Sequence, residues 1–400
     1  MASPRQRTRS IVNSRNAWVG SALLAAIVLI GTAGCNSFFV PLCQEYNTCS
    51  SGGGTGGSGS GGSGSGTYSS YAYVANATLG TLAGIPIPKA TFTTLTGSSY
   101  TLGTTPSALA ATPKGTFLYL ATLAGPVFVY TIGANGTLTL GNNGSQVTST
   151  LVPTWMTVDP SGNWLFMVSN SSNQLLIFQI DTFTGTLTQT SQGTISLDAG
   201  NPTQVYVTPN DQYVYIGLGL GGTDGFTFNS STGVVSNQIH LATRGAASDN
   251  AIASDNNSAY LFVGEAGQGI RVLTIGTGGA LKEIAGSPFA SQLGPQSIVV
   301  DPTNTYVYVA NKTADVITGY TLGTGGTLTP LSSSPFTTGF LPIAMSLDST
   351  GKYLFVVNSG GSPDMQVFSF DATTAGKLDP VTSVATGTDP AGAVALSVVP

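Results

Sequence analysis

The chain has 400 residues, is 41% hydrophobic and only 7% charged, contains 53 glycines, and carries a formal net charge of −5. That balance disfavours nucleic acid as a partner, because phosphate contacts need a basic face. No long amphipathic helical pattern occurs, and the Tyr, Val, Thr, Gly and Pro content of the larger part points to an all-β class.

Residues 1–34 read as a targeting segment. Arg5, Arg7, Arg9 and Arg15 form a cationic start, and Trp18 to Ile30 is an apolar run of 13 residues. This is shorter than the roughly 20 residues that span a bilayer but suits a secretory leader. Gly31, Thr32, Ala33 and Gly34 lead into Cys35, a pattern that resembles a bacterial lipobox. It implies cleavage before Cys35 and a lipid anchor in the bilayer. Thr32 departs from the aliphatic residue usual there, and an ordinary signal peptide is the alternative. Asn36 lacks the acid that resembles an inner-membrane retention signal, so an outer-membrane or cell-surface location is expected of this exported chain. Without the leader arginines, 8 basic residues face 17 acidic ones, a net charge near −9.

Residues 35–49 hold Cys43 and Cys49, which could close a small disulfide loop in an oxidising compartment. No histidine lies near them, so a metal is not expected there. Residues 50–66 are only Gly, Ser and Thr. Such a stretch buries no core and behaves as a flexible tether spanning roughly 20–25 Å.

Residues 67–400 are repetitive. Related units begin at Pro106, Pro153, Pro202, Asp249, Pro295 and Pro342, with a half-unit at Pro390; the spacings are 47, 49, 47, 46, 47 and 48. Each unit reads as an apolar strand, a tight turn such as DPTN at Asp301, an aromatic second strand such as YVYVAN at Tyr306, a third strand, and a glycine hairpin into a fourth. Four strands at a period near fifty predict a propeller. The half-unit at Pro390 completes the blade begun at Tyr71, so a seven-bladed β-propeller of four-stranded antiparallel blades is predicted, closed by pairing the C-terminal and N-terminal strands. The turn residues Asp159, Asp301 and Asp348, with Thr112, Thr208 and Asp255 in the same column, are read as structural rather than catalytic. Trp155 and Trp164 are read as blade packing rather than a sugar platform.

With these repeats in view, Tyr68 to Pro400 resembles the lactonase-type (6-phosphogluconolactonase-like, YVTN-repeat-like) seven-bladed propellers, on YVYVAN, YLFVVN at Tyr353, DPSG at Asp159 and the ending TGTDPAGAVALSVVP. The resemblance implies a lactone hydrolase with a G-P-R-H entry to one inner strand and N-E after the next. Here those places hold Gly294-Pro295-Gln296-Ser297 and Asn311-Lys312. The arginine column reads Ser107, Thr154, Thr203, Asn250, Gln296, Ile343 and Ala391, and the histidine column Ala108, Trp155, Gln204, Ala251, Ser297, Ala344 and Gly392. Neither supplies the cation that a phosphosugar requires.

One cluster is chemically suggestive. His240, Arg244 and Asp249 are placed on the connection into the fifth repeat, and Glu265 ends that repeat's second strand, where others have Asn311 or Asn358. His240 could act as general base, with Glu265 orienting it and Arg244 steadying an oxyanion; Asp249, Asn311 and Asn358 would bind. The competing reading is a surface ion pair beside a solvated histidine. No G-x-S-x-G elbow or D-x-D-x-D-G loop occurs, and neither a cofactor nor a metal is expected. The leading expectation is a monomeric, membrane-anchored binding module presenting its loop face to an envelope protein or a carbohydrate. A lactone hydrolase is the alternative, and a plain structural array a third reading.

Overall fold

The second strands read as nearly continuous apolar runs because each blade is covered on both faces by its neighbours. Phe117–Thr122 and Trp164–Ser169, for instance, are buried at every position. The computed structural model describes residues 70–87, 92, 95, 98–141, 151–198, 200–384 and 392–400. The leader, Cys35, the Cys43–Cys49 pair and the tether lie outside them, as does Ala391.

Seven antiparallel sheets form the fold. Numbered from the N-terminus, blade 1 joins Ala393–Val399 to Ser70–Asn76, Thr81–Ile87 and Tyr100–Thr101. Blades 2 and 3 begin at Pro106–Ala111 and Trp155–Val158, blades 4 and 5 at Gln204–Val207 and Ser248–Ser254, and blades 6 and 7 at Pro295–Val300 and Phe340–Leu347. In blade 6 the outer edge is broken into Leu328–Pro330 and Phe336–Thr337, both paired with the third strand. The predicted closure is present: Tyr71 pairs with Val399 and Asn76 with Ala393. The first strands touch in succession round the ring, including that of blade 7 against Ala393–Val399.

The core is divided. Seven apolar clusters each span a blade and its neighbour, such as Tyr119 and Ala121 with Leu165 and Met167 between blades 2 and 3. Burying one large apolar side chain contributes roughly 1.5–3 kcal/mol, so stability is spread over the interfaces. In six blades the aromatic residue opening the second strand lies over a hairpin glycine of the next blade, whereas Tyr353 of blade 7 meets the Phe92 ring edge-on. Gly233 has φ +72°, and a Cβ there would fall 2.1 Å from the Trp164 ring; at Gly136, φ +75°, it would fall 2.2 Å from Tyr71. The ring two residues on holds the same hairpin: the hydroxyls of Tyr73, Tyr119, Tyr215 and Tyr308 donate to the carbonyls of Gly136, Gly185, Gly279 and Gly376 at 2.6–3.2 Å. Trp164 Nε1 donates to the Ser230 carbonyl at 2.7 Å. Both tryptophans serve packing, Trp155 against the core between blades 3 and 4.

The turn acids are structural, as expected. Asp301 Oδ1 accepts from the Thr305 and Tyr306 amides, each at 2.6 Å, and Asp159 Oδ1 does the same for Asn163 and Trp164. The arginine and histidine columns also have a structural use here. Thr154 and Thr203 donate to the carbonyls of Pro202 and Asp249, and Gln204 and Ser297 accept from the amides of Ile252 and Met345, at 2.8–3.2 Å. Short polar side chains thus stitch first strands across blade boundaries.

Candidate functional site between blades 4 and 5

The repeat supplies its own control. In the third strands, the residue paired with the fourth position of the second strand is Ala83, Phe128, Leu176, Asp224, Arg271, Thr318 or Gln366 in blades 1 to 7. Only blades 4 and 5 place a charge there. The end of the second strand is neutral in every other blade and is Glu265 in blade 5. Folding the repeat does not need these charges, and such local departures mark functional positions.

The strand order brings them to one face, the side of the loops after second and fourth strands. Asp224 and His240 are cross-strand partners in blade 4, as are Asp249 and Glu265 in blade 5. The predicted connection is therefore shorter than expected: His240 lies in the strand Val234–Leu241 and Asp249 in Ser248–Ser254, leaving only Arg244 on a loop. Val234–Leu241 is an outer strand with a mostly polar, partly exposed sequence, which gives no apolar alternation to read.

His240 Nδ1 lies 2.8 Å from Asp224 Oδ1 and 3.4 Å from Asp198 Oδ2. Asp224 is fully buried, whereas the His240 side chain is 35% exposed. Asp224 Oδ2 accepts the Asp198 amide at 2.8 Å and the Gln238 side-chain amide at 3.1 Å. This carboxyl is thus arranged as an acceptor, and Nδ1–H donates to it. The tautomer so fixed leaves the Nε2 lone pair free. Burial raises the Asp224 pKa, opposed by the amide of Asp198 and by His240.

Next to this pair, Thr223 Oγ1 donates to Asp249 Oδ2 at 2.6 Å. Asp249 Oδ1 and Glu265 Oε2 are buried without a hydrogen-bond partner. Arg271 Nη1 donates to Glu265 Oε1 at 3.3 Å and to the Ala242 carbonyl at 2.9 Å, and its Nε donates to Glu283 at 3.2 Å. Arg244 Nη2 pairs with the other Glu283 oxygen. Burial, and then the Asp249 carboxylate, push Glu265 up to about 7 against the pull of Arg271 and Arg244. Burial also raises Asp249, with Thr223, Arg271 and His240 opposing.

Three expected roles change. Asp224, not Glu265, orients His240. Glu265 is bonded to Arg271 instead, and Arg244, expected to steady an oxyanion, is committed to Glu283. Asn311 and Asn358 are buried and work locally: Asn311 accepts from Ser291 at 2.8 Å and donates to the Val309 carbonyl at 2.9 Å, while Asn358 donates to the Pro363 carbonyl at 2.8 Å. Asp198, Thr223, Asp224, Arg271 and Glu283 were missed from sequence. The third-strand column would have exposed Asp224 and Arg271, because it turns charged only there.

A cavity of about 610 Å³ between blades 6 and 7 lies on the opposite face, near Asp301, Tyr306, Tyr353 and Asp371. Asp301 is spent on turn amides and Tyr306 covers Gly376, so this groove is a by-product of blade packing.

The family model described as lactonase, seven-bladed β-propeller, matches residues 69–207 and 196–394. The chain belongs to the lactonase family of seven-bladed β-propellers. Among solved structures, a Bacteroides fragilis protein provisionally described as a 6-phosphogluconolactonase aligns at 18% identity and TM-score 0.68, over 83% of this chain and 98% of that one. The Pseudomonas aeruginosa periplasmic gluconolactonase aligns at 16% identity and TM-score 0.68, over 83% and 99%. A Lactobacillus plantarum protein aligns at 17% identity and TM-score 0.66, over 83% and 100%. At these identities the likeness is one of fold. No curated protein is matched.

Proposed function

We propose that this lactonase-family propeller hydrolyses a small unphosphorylated lactone at the mouth between blades 4 and 5. The observation that carries this reading is the buried Asp224 carboxylate 2.8 Å from Nδ1 of a partly exposed His240. A histidine so oriented takes a proton from water at Nε2 as the water oxygen bonds to the lactone carbonyl carbon. As the ring C–O bond breaks, Nε2–H returns the proton to the leaving ring oxygen. The product is a hydroxy acid, and Asp224 stabilises the transient imidazolium. The similar Pseudomonas protein, a periplasmic gluconolactonase, fits a chain whose leader and Cys35 point to export and lipid anchoring.

A neutral substrate is favoured because both arginines beyond the leader, Arg244 and Arg271, are already paired with carboxylates. A binding module using the same face would retain a lactone or sugar without turnover. The test is hydrolysis of glucono-δ-lactone and of its phosphorylated counterpart by the full chain, with spontaneous hydrolysis subtracted. Turnover of the neutral lactone, lost in His240→Ala, is expected. Rates equal to buffer, or unchanged in that variant, would dismiss the enzyme reading and leave binding.

A further inference from the structure

We propose that Asp198, Asp224 and His240 also form a binding site for one divalent transition metal ion, zinc or a zinc-like ion, and that the ion silences the histidine as a base. Nδ1 of His240, Oδ1 of Asp224 and Oδ2 of Asp198 lie within 4.8 Å of one another, at 2.8 and 3.4 Å from the nitrogen. Ligand atoms about 2.0–2.2 Å from a tetrahedral ion stand roughly 3.4 Å apart, close to the two separations measured from the nitrogen. One imidazole and two carboxylates suit zinc, cobalt or nickel rather than calcium or magnesium.

The charges favour a cation. Two carboxylates face one imidazole, and no lysine or arginine is among the groups that set the Asp224 pKa. Asp198 leaves its carboxylate half exposed, which gives an ion an entry path. The Asp224 ligand is held in place by the Asp198 and Gln238 amides on its other oxygen, the outer support that metal ligands need. Spacings of 26 and 16 residues between the three ligands explain why no loop motif revealed them.

The consequence for the proposed reaction follows from the tautomer. A metal on Nδ1 takes that nitrogen's lone pair, so the single proton of the neutral ring moves to Nε2. The atom that would accept the proton of water then carries one. Metal binding itself does not depend on the hydrolysis reading, and the two are measured separately.

The test is a Co²⁺ titration of the full chain with its cysteines blocked by iodoacetamide, followed by the visible d–d band and by equilibrium dialysis without substrate. One saturable equivalent is expected, weakened at least about 30-fold in His240→Ala and in Asp198→Asn. Thermal melts by circular dichroism check that both variants remain folded; the exposed Asp198 provides the milder change. Absence of a stoichiometric ion, or uptake equal in wild type and both variants, would overturn the site. Where lactone turnover is present, saturating Co²⁺ should abolish it; undiminished turnover with the site full would overturn the silencing.

Discussion

Glu265 is the residue whose burial has the clearest measurable cost. Its proton is held up to about 7 in the folded chain against an ordinary 4.5. The folded state therefore binds more proton than the unfolded one between these values, and stability must fall as pH rises. The contribution is fully present below about 4.5 and lost by about 7, a difference of ~3 kcal/mol. Glu265→Gln should remove this slope and be the more stable form at pH 8. Urea melts at pH 5 and pH 8 decide it; parallel pH profiles for the two proteins would mean that Glu265 is ionised throughout. The sequence could put Glu265, Asp249 and His240 at one end of their blades, since strand polarity follows from repeat phase alone. It could not pair them, because His240 and Asp224 meet through a cross-strand register, and Asp198 reaches them from the preceding blade.

The hairpin between third and fourth strands shows how one element depends on the next blade. Gly233 and Gly278 share a positive φ, +72° and +70°, so alanine at either carries the same backbone strain, about 1 kcal/mol. They differ in surroundings. The Cβ at Gly233 would overlap the Trp164 ring, and that at Gly278 would meet nothing within 4 Å. Gly278→Ala should therefore cost only the strain, and Gly233→Ala a further ~1–3 kcal/mol of overpacking. Equal denaturation midpoints would contradict the aromatic-on-glycine contact. These hairpins were readable as N-G-T-L and G-G-T-L patterns with their Asp turns, because turn chemistry is local. Their aromatic partners, 63 to 70 residues earlier, were not.

The described residues form a ring of similar interfaces, and the ring is closed at a seam. Ala393–Val399 is the only strand of blade 1 that comes from the far end of the described chain, and it also packs against blades 2 and 7. Deleting the last ten residues opens a sheet edge and leaves Tyr71–Asn76 unpaired on one side. Cooperative thermal unfolding should be lost; an unchanged melt would mean the ring does not need its seam. The ring was legible because a period of 46 to 49 residues is written throughout the chain. The site was less so, because a closed ring brings residues together through the register of neighbouring blades rather than through spacing.

The assignment of chemistry to the mouth of blades 4 and 5 rests on one hydrogen bond, and Asp224→Asn changes it with little change in volume. The measurement is kcat and KM for glucono-δ-lactone in that variant beside the wild type. The dyad predicts a kcat reduced about 100-fold or more with KM little altered, since an amide no longer fixes the tautomer or stabilises the imidazolium. A wild-type kcat in a folded Asp224→Asn protein would contradict it.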